Sequence, residues 1–227
     1  MRSSHIFAGI IFPFSTLAAP YLPRGRLPGG RLPGILHPRQ ANASCDLTEV
    51  KQPANTLQVP GDDLSLVLIA LGRGTQNYTC ADEAATPASF GAMAQLFNAS
   101  CAVASNEMGT LSEDPAAIGM HFFVDSTTPD FDIIGLGNTQ LKKAESVAAP
   151  SPADVPWLRL EALNKETNPV RQIYRLETRG GLAPTSCSGQ QAGAVVTIEY
   201  EAQYWIYVSA EGLNARRRKR SLGLPLI

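Results

Sequence analysis

The residues best placed to do chemistry lie in one run, His121-Phe122-Phe123-Val124-Asp125, followed by Asp130 and Asp132 on either side of Phe131. A carboxylate near an imidazole can orient it for proton transfer. His121 is the one histidine inside the presumed domain, because His5 and His37 fall in the leader and spacer. In an extended strand, however, a separation of four residues is about 13 Å, too far for contact unless the chain turns. A three-histidine metal site is therefore impossible here, and no Gly-x-Ser-x-Gly elbow marks a nucleophile for a triad. A glycosidase would need two facing carboxylates, for which Asp125, Asp130 and Asp132, or Glu199 and Glu201, are the available groups. A solvated acidic surface accounts for them more simply. No catalytic residue is assigned; His121 and Asp125 are the nearest candidates, and a lone histidine beside two phenylalanines reads first as a packed residue.

Two glycine runs invite a test for dinucleotide binding. The apolar stretch Leu64–Leu71 leads into Gly72-Arg73-Gly74, as a strand leads into a phosphate-binding turn. The third glycine should stand at position 77, which is Asn77, and no helix-spaced apolar pattern follows to receive a pyrophosphate. Gly135-Leu136-Gly137 fails at Gln140. The first run is read as a turn, a nicotinamide-dependent dehydrogenase is rejected, and no cofactor or metal is expected.

Compartment is read from the start of the chain. A short basic opening, the apolar run Ile6–Leu17 and the small residues Ala18 and Ala19 form the pattern of a secretory signal peptide over residues 1–19, too short to span a bilayer. In an oxidising compartment the four cysteines, Cys45, Cys80, Cys101 and Cys187, form a disulfide framework with three possible pairings. Asn42, Asn77 and Asn98 each begin an N-glycosylation sequon. The acidic residues, 20 in all, lie between Asp46 and Glu211 with only 9 basic residues, a balance of −11. Such a body argues against nucleic acid as a partner, since phosphates would be repelled.

These groups must be positioned by strands. Residues 20–42 are rich in Pro, Gly and Arg, with nothing periodic to bury, and are expected to be disordered. From Val196 to Val208 every second residue is apolar or aromatic, the period of a long half-buried strand. Trp157–Ala162 alternates too, and in the next strand Tyr174, Leu176 and Thr178 face away from Arg175 and Glu177 before Gly180-Gly181 turns the chain. Further strands are expected at Leu64–Leu71, Thr75–Cys80, Ala92–Phe97, His121–Val124 and Phe131–Ile134. One helical turn is expected to open at Ser112-Glu113-Asp114-Pro115. The domain is thus expected over residues 43–211, all-β, an antiparallel β-sandwich or barrel-like fold with at most short helical turns. Residues 212–227 read as a basic disordered tail, in which Arg216-Arg217-Arg218-Lys219-Arg220 offers a dibasic processing site at Lys219 and Arg220.

Several ordered blocks carry a resemblance. Gly72–Cys80, Gly91–Cys101, His121–Phe131, the Trp157 strand, Tyr174–Gly181 with Pro184 and Cys187, and Glu199–Tyr207 together resemble the fungal secreted proteins of the domain-of-unknown-function family 3455. The resemblance implies one secreted domain and no reaction. It also implies the pairs Cys80 with Cys187 and Cys45 with Cys101. The function expected is that of a secreted, disulfide-bonded glycoprotein, a non-catalytic extracellular or cell-surface binding protein whose partner is a wall polysaccharide or host extracellular component. The alternative is an extracellular hydrolase using the acidic cluster near His121. Trp205 and Tyr207 stand on the face opposite Tyr204, where they are either exposed or covered by a loop, and core packing is the simpler reading for most of these rings.

Overall fold

A computed structural model describes residues 45–107, 116–164 and 168–221. Eight strands run in chain order: β1 Leu64–Thr79, β2 Ala88–Asn98, β3 Ala117–Phe123, β4 Pro129–Ile133, β5 Gly137–Val147, β6 Trp157–Ala162, β7 Val170–Gly180 and β8 Val195–Ser209. Each pairs antiparallel with the next, and β8 pairs back onto β1 from Leu64↔Ser209 to Thr79↔Val195. The result is a closed meander barrel, which leaves no strand edge open. Two short helices complete the fold, α1 Ser100–Ala104 and α2 Ala210–Ser221. The helical turn expected at Ser112–Pro115 lies outside the described residues.

The glycine run expected to be a turn is instead the middle of β1, so the two strands expected there are one. The reason is packing. A Cβ on Gly72 would stand 2.5 Å from Cε2 of Tyr204, and one on Gly74 would stand 1.9 Å from the Met93 carbonyl oxygen of β2. Both glycines let a bulky interior and a neighbouring backbone approach a strand that runs straight through. The left-handed backbone expected at Gly180 and Gly181 is present, with φ of 70° and 80°, where β7 ends and Gly181 bridges to Asp154.

Side chains that share a ladder row share a face, and this sorts the core into two layers. Ala70, Leu96, Phe131, Leu141, Leu160, Ile173, Tyr204 and Ile206 belong to the filling of the barrel. Ile69, Trp157, Tyr174, Leu176, Trp205 and Tyr207 form a second cluster on its outside, beneath Leu47 and Leu57 of the N-terminal segment. That segment is tied down by hydrogen bonds from Gln52 Nε2 to the Tyr207 hydroxyl and from the Tyr174 hydroxyl to the Gln58 carbonyl. Its start is held to α1 by the Cys45–Cys101 disulfide. The clean alternation of β8 therefore ends at Tyr204: every residue from there to Ser209 is buried, one set inside and one beneath this strap. Trp205 and Tyr207, at 1% and 7% exposure, thus form no exposed aromatic face.

At the other end of the chain, residues expected to be unstructured from 212 onward are helical as far as Ser221. Ala, Leu and Arg are good helix formers. Glu211 lies in the first turn, and the basic run occupies the C-terminal half, where the helix dipole favours cations.

Candidate functional site

The connections 80–87, 124–128, 148–156 and 181–194 all fall at one end of the barrel, because the strands alternate in direction. The Cys80–Cys187 disulfide staples two of them together. Beneath them the interior changes character from aliphatic to polar. Tyr200, Gly74, Ala94, His121, Phe131 and Thr139 occupy one ladder row across β8, β1, β2, β3, β4 and β5. The glycine and alanine leave room for the rings on either side.

His121 lies in this row with its ring stacked on Phe131, centroids 4.2 Å apart and nearly parallel. Its Nδ1 is 2.9 Å from the Asp130 carbonyl oxygen. A carbonyl only accepts, so Nδ1 carries the hydrogen and Nε2 the lone pair of a neutral ring. Burial pushes its pKa down to about 4, against the opposing effect of the Asp130 carbonyl and with a smaller lowering by the Arg175 charge.

The carboxylates do not join it. Asp125 is exposed and organises its own loop: Oδ1 accepts from the Thr127 and Thr128 amides and the Thr127 hydroxyl, and Oδ2 from the Thr128 hydroxyl. Those bonds, the Thr127 amide first, lower its pKa. Asp132 is exposed. Asp130 is buried, but its side chain lies on the outward set of β4, where it accepts from Asn138 Nδ2 at 2.6 Å. Burial raises its pKa, against the bonds from Asn138 and Gln140. The convergence of His121 with an acidic residue that the hydrolase alternative requires is absent among the described residues.

The sequence pattern set Tyr174 and Leu176 opposite Arg175 without saying which set faces the interior. Tyr174 and Leu176 point outward, under the N-terminal strap, and Arg175 points into the barrel in the row of Tyr204 and Leu158. It is 8% exposed. Its Nε and Nη2 both donate to the Pro156 carbonyl, at 3.2 and 2.8 Å. Around it stand Tyr78, His121, Tyr200 and Tyr204, whose titrations all feel its charge. The Tyr200 and Tyr204 hydroxyls are 2.8 Å apart. Burial raises the pKa of both tyrosines, with Arg175 opposing it. Gln76, on the row next to Tyr200, packs with it against Gly181, and its buried Nε2 lies by the Tyr200 hydroxyl without a well-formed hydrogen bond. Tyr78 donates to the Gly181 carbonyl at 2.6 Å and Thr178 to the Val155 carbonyl at 2.7 Å, which fastens the covering loops. The signal for Tyr200 and Tyr204 was present in the alternation of β8. Arg175 and Gln76 gave none, because a period of two does not say which face is covered.

The remaining expected sites fall as follows. Asn77 lies near the C-terminal end of β1 on its outer face, half-buried, and its Oδ1 accepts from the Thr75 hydroxyl. Asn98 ends β2, exposed, and Asn42 lies outside the described residues. Lys219 and Arg220 are in α2. The cysteines are bonded Cys45–Cys101 and Cys80–Cys187, the pairs the resemblance implies.

Fold and interior together define an eight-stranded antiparallel barrel with a polar end and a filled, aliphatic opposite end. A family model described as "Protein of unknown function (DUF3455)" matches residues 60–208, from just before β1 to the end of β8. The chain belongs to that family. No curated protein and no solved structure matches it.

Proposed function

We propose that this chain is a secreted, disulfide-bonded and N-glycosylated binding protein that works outside the cell without catalysis, on a wall polysaccharide or a host extracellular component. The observation that carries the binding reading is the donor-lined polar end of the barrel, since small barrels hold ligands in their mouths. Both disulfides are compatible with an oxidising compartment. Among the described residues no helix is long and apolar enough to cross a membrane. Processing after Arg220 belongs to the same export route.

Intact-mass and peptide analysis of the protein recovered from a culture medium tests the export reading. The expected result is a mature N-terminus after Ala18 or Ala19, hexose-bearing sequon peptides and a C-terminus at Arg220. A cell-retained chain with Met1 in place overturns it. The non-catalytic part is tested by screening the pure protein on extracellular polysaccharides and peptides. A turnover lost in His121→Ala would restore the hydrolase alternative.

A further inference from the structure

The barrel interior carries a formal charge and no counter-charge. Arg175 makes no ion pair among the described residues. Asp130, the one carboxylate buried among the described residues, lies on the outward set of β4. His121 is neutral above about pH 4 and brings no negative charge. Buried charges are ordinarily paired, because an isolated one forfeits its hydration. The guanidinium donates to the Pro156 carbonyl through Nε and Nη2 and also hydrogen-bonds the Tyr204 hydroxyl, and neither partner carries a charge.

Further donors belong to the same end. Gln76 Nε2 is buried without a well-formed hydrogen bond, on a side chain 7% exposed that lies against the Tyr200 hydroxyl. The Tyr200 and Tyr204 hydroxyls share one hydrogen bond, which uses one of their two protons and leaves the other to a third group. Cation, amide and hydroxyl all belong to the interior of one end of the barrel.

We infer that this end of the barrel binds one small monoanion, a halide or the carboxylate head of a small organic acid, paired with Arg175 and hydrogen-bonded by Gln76 Nε2 and a hydroxyl of the Tyr200–Tyr204 pair. The balance of −11 over residues 46–211 disfavours polyanions at the surface and limits the occupant to a single small charge. The inference deepens the binding reading above by naming the ligand class. A neutral saccharide held at the same mouth would survive its failure.

The test titrates the full secreted chain with sodium chloride and with sodium acetate. Ionic strength is held constant with sodium sulfate, whose dianion lies outside the proposed ligand class. Tyrosine fluorescence and the thermal midpoint are the readouts. A saturable response to at least one anion is expected, weakened about tenfold or more in Gln76→Leu by loss of a bond to a charged ligand and absent in Arg175→Met. Preference for acetate identifies a small organic acid, and preference for chloride identifies a halide. No saturable response to either anion overturns the inference, as does equal affinity in Gln76→Leu. Should Arg175→Met fail to fold, Gln76→Leu decides alone, because it leaves the guanidinium and its bonds to Pro156 in place.

Discussion

His121→Asn should remove one pH-dependent component of stability and leave the rest. In the folded chain the ring is 2% exposed and titrates at about 4, whereas an unfolded histidine titrates near 6.5. Between those values the unfolded chain binds the proton and the folded chain does not, so stability rises with pH across that window. The full stabilising effect is present above pH 6.5 and is lost as pH falls toward 4. The gap is worth about 3 kcal/mol, from about 1.4 kcal/mol per tenfold change in proton affinity. Asparagine suits the test because its amide can still donate to the Asp130 carbonyl that Nδ1 now bonds. The ring stack on Phe131 is lost, which lowers the variant's stability equally at every pH. Urea unfolding followed by the fluorescence of Trp157 and Trp205, both buried, should be measured for both chains at pH 7.5 and pH 4.0. The wild type should lose about 3 kcal/mol more than the variant between the two. The other groups that titrate between the two pH values are common to both chains and cancel. Parallel losses would refute the assignment of a buried, neutral imidazole, and with it the reason for setting His121 aside as a general base.

Two further outcomes follow from the packing. Replacing Cys80 and Cys187 together by serine opens a loop of 107 residues and should cost about 4–5 kcal/mol in denaturant unfolding, with unfolding of the 181–194 connection seen first by hydrogen exchange. Gly72→Val drives a side chain into the Tyr204 ring and should cost about 1–3 kcal/mol by overpacking. Adding Tyr204→Leu should recover part of that loss, and strict additivity of the two substitutions would refute the contact.

The parts of the fold legible in the sequence are those where one face is wet and the other dry. β6 has the bounds its alternation gives, Trp157–Ala162, and Leu158, Leu160 and Ala162 do face inward. β8 reads correctly up to Tyr204 for the same reason. Alternation is silent where both faces are covered: in β7 it separates Tyr174 and Leu176 from Arg175, but does not say that the strap of residues 45–58 covers the first pair while Arg175 faces the interior. β5 escaped notice because Asn138, Gln140 and Lys142 face outward, with Thr139 and Leu141 alone to signal the interior, and a register shift between Lys143 and Glu145 breaks the period. The glycines of β1 were misread because a missing side chain marks a close approach as readily as a turn. Of the site, the tyrosines were legible and the cation was not, since nothing local distinguishes a buried arginine from an exposed one.

The seam between β1 and β8 joins Leu64 to Ser209 and runs the full length of both strands. During synthesis β1 waits for more than a hundred residues to follow before its second partner exists, and until then it is an open template for pairing. Another chain's β8 fits that template as well as its own, so crowded folding favours exchanged strands and domain-swapped dimers. The ring that hides every edge in the finished molecule makes its first strand the longest exposed edge of the unfinished one.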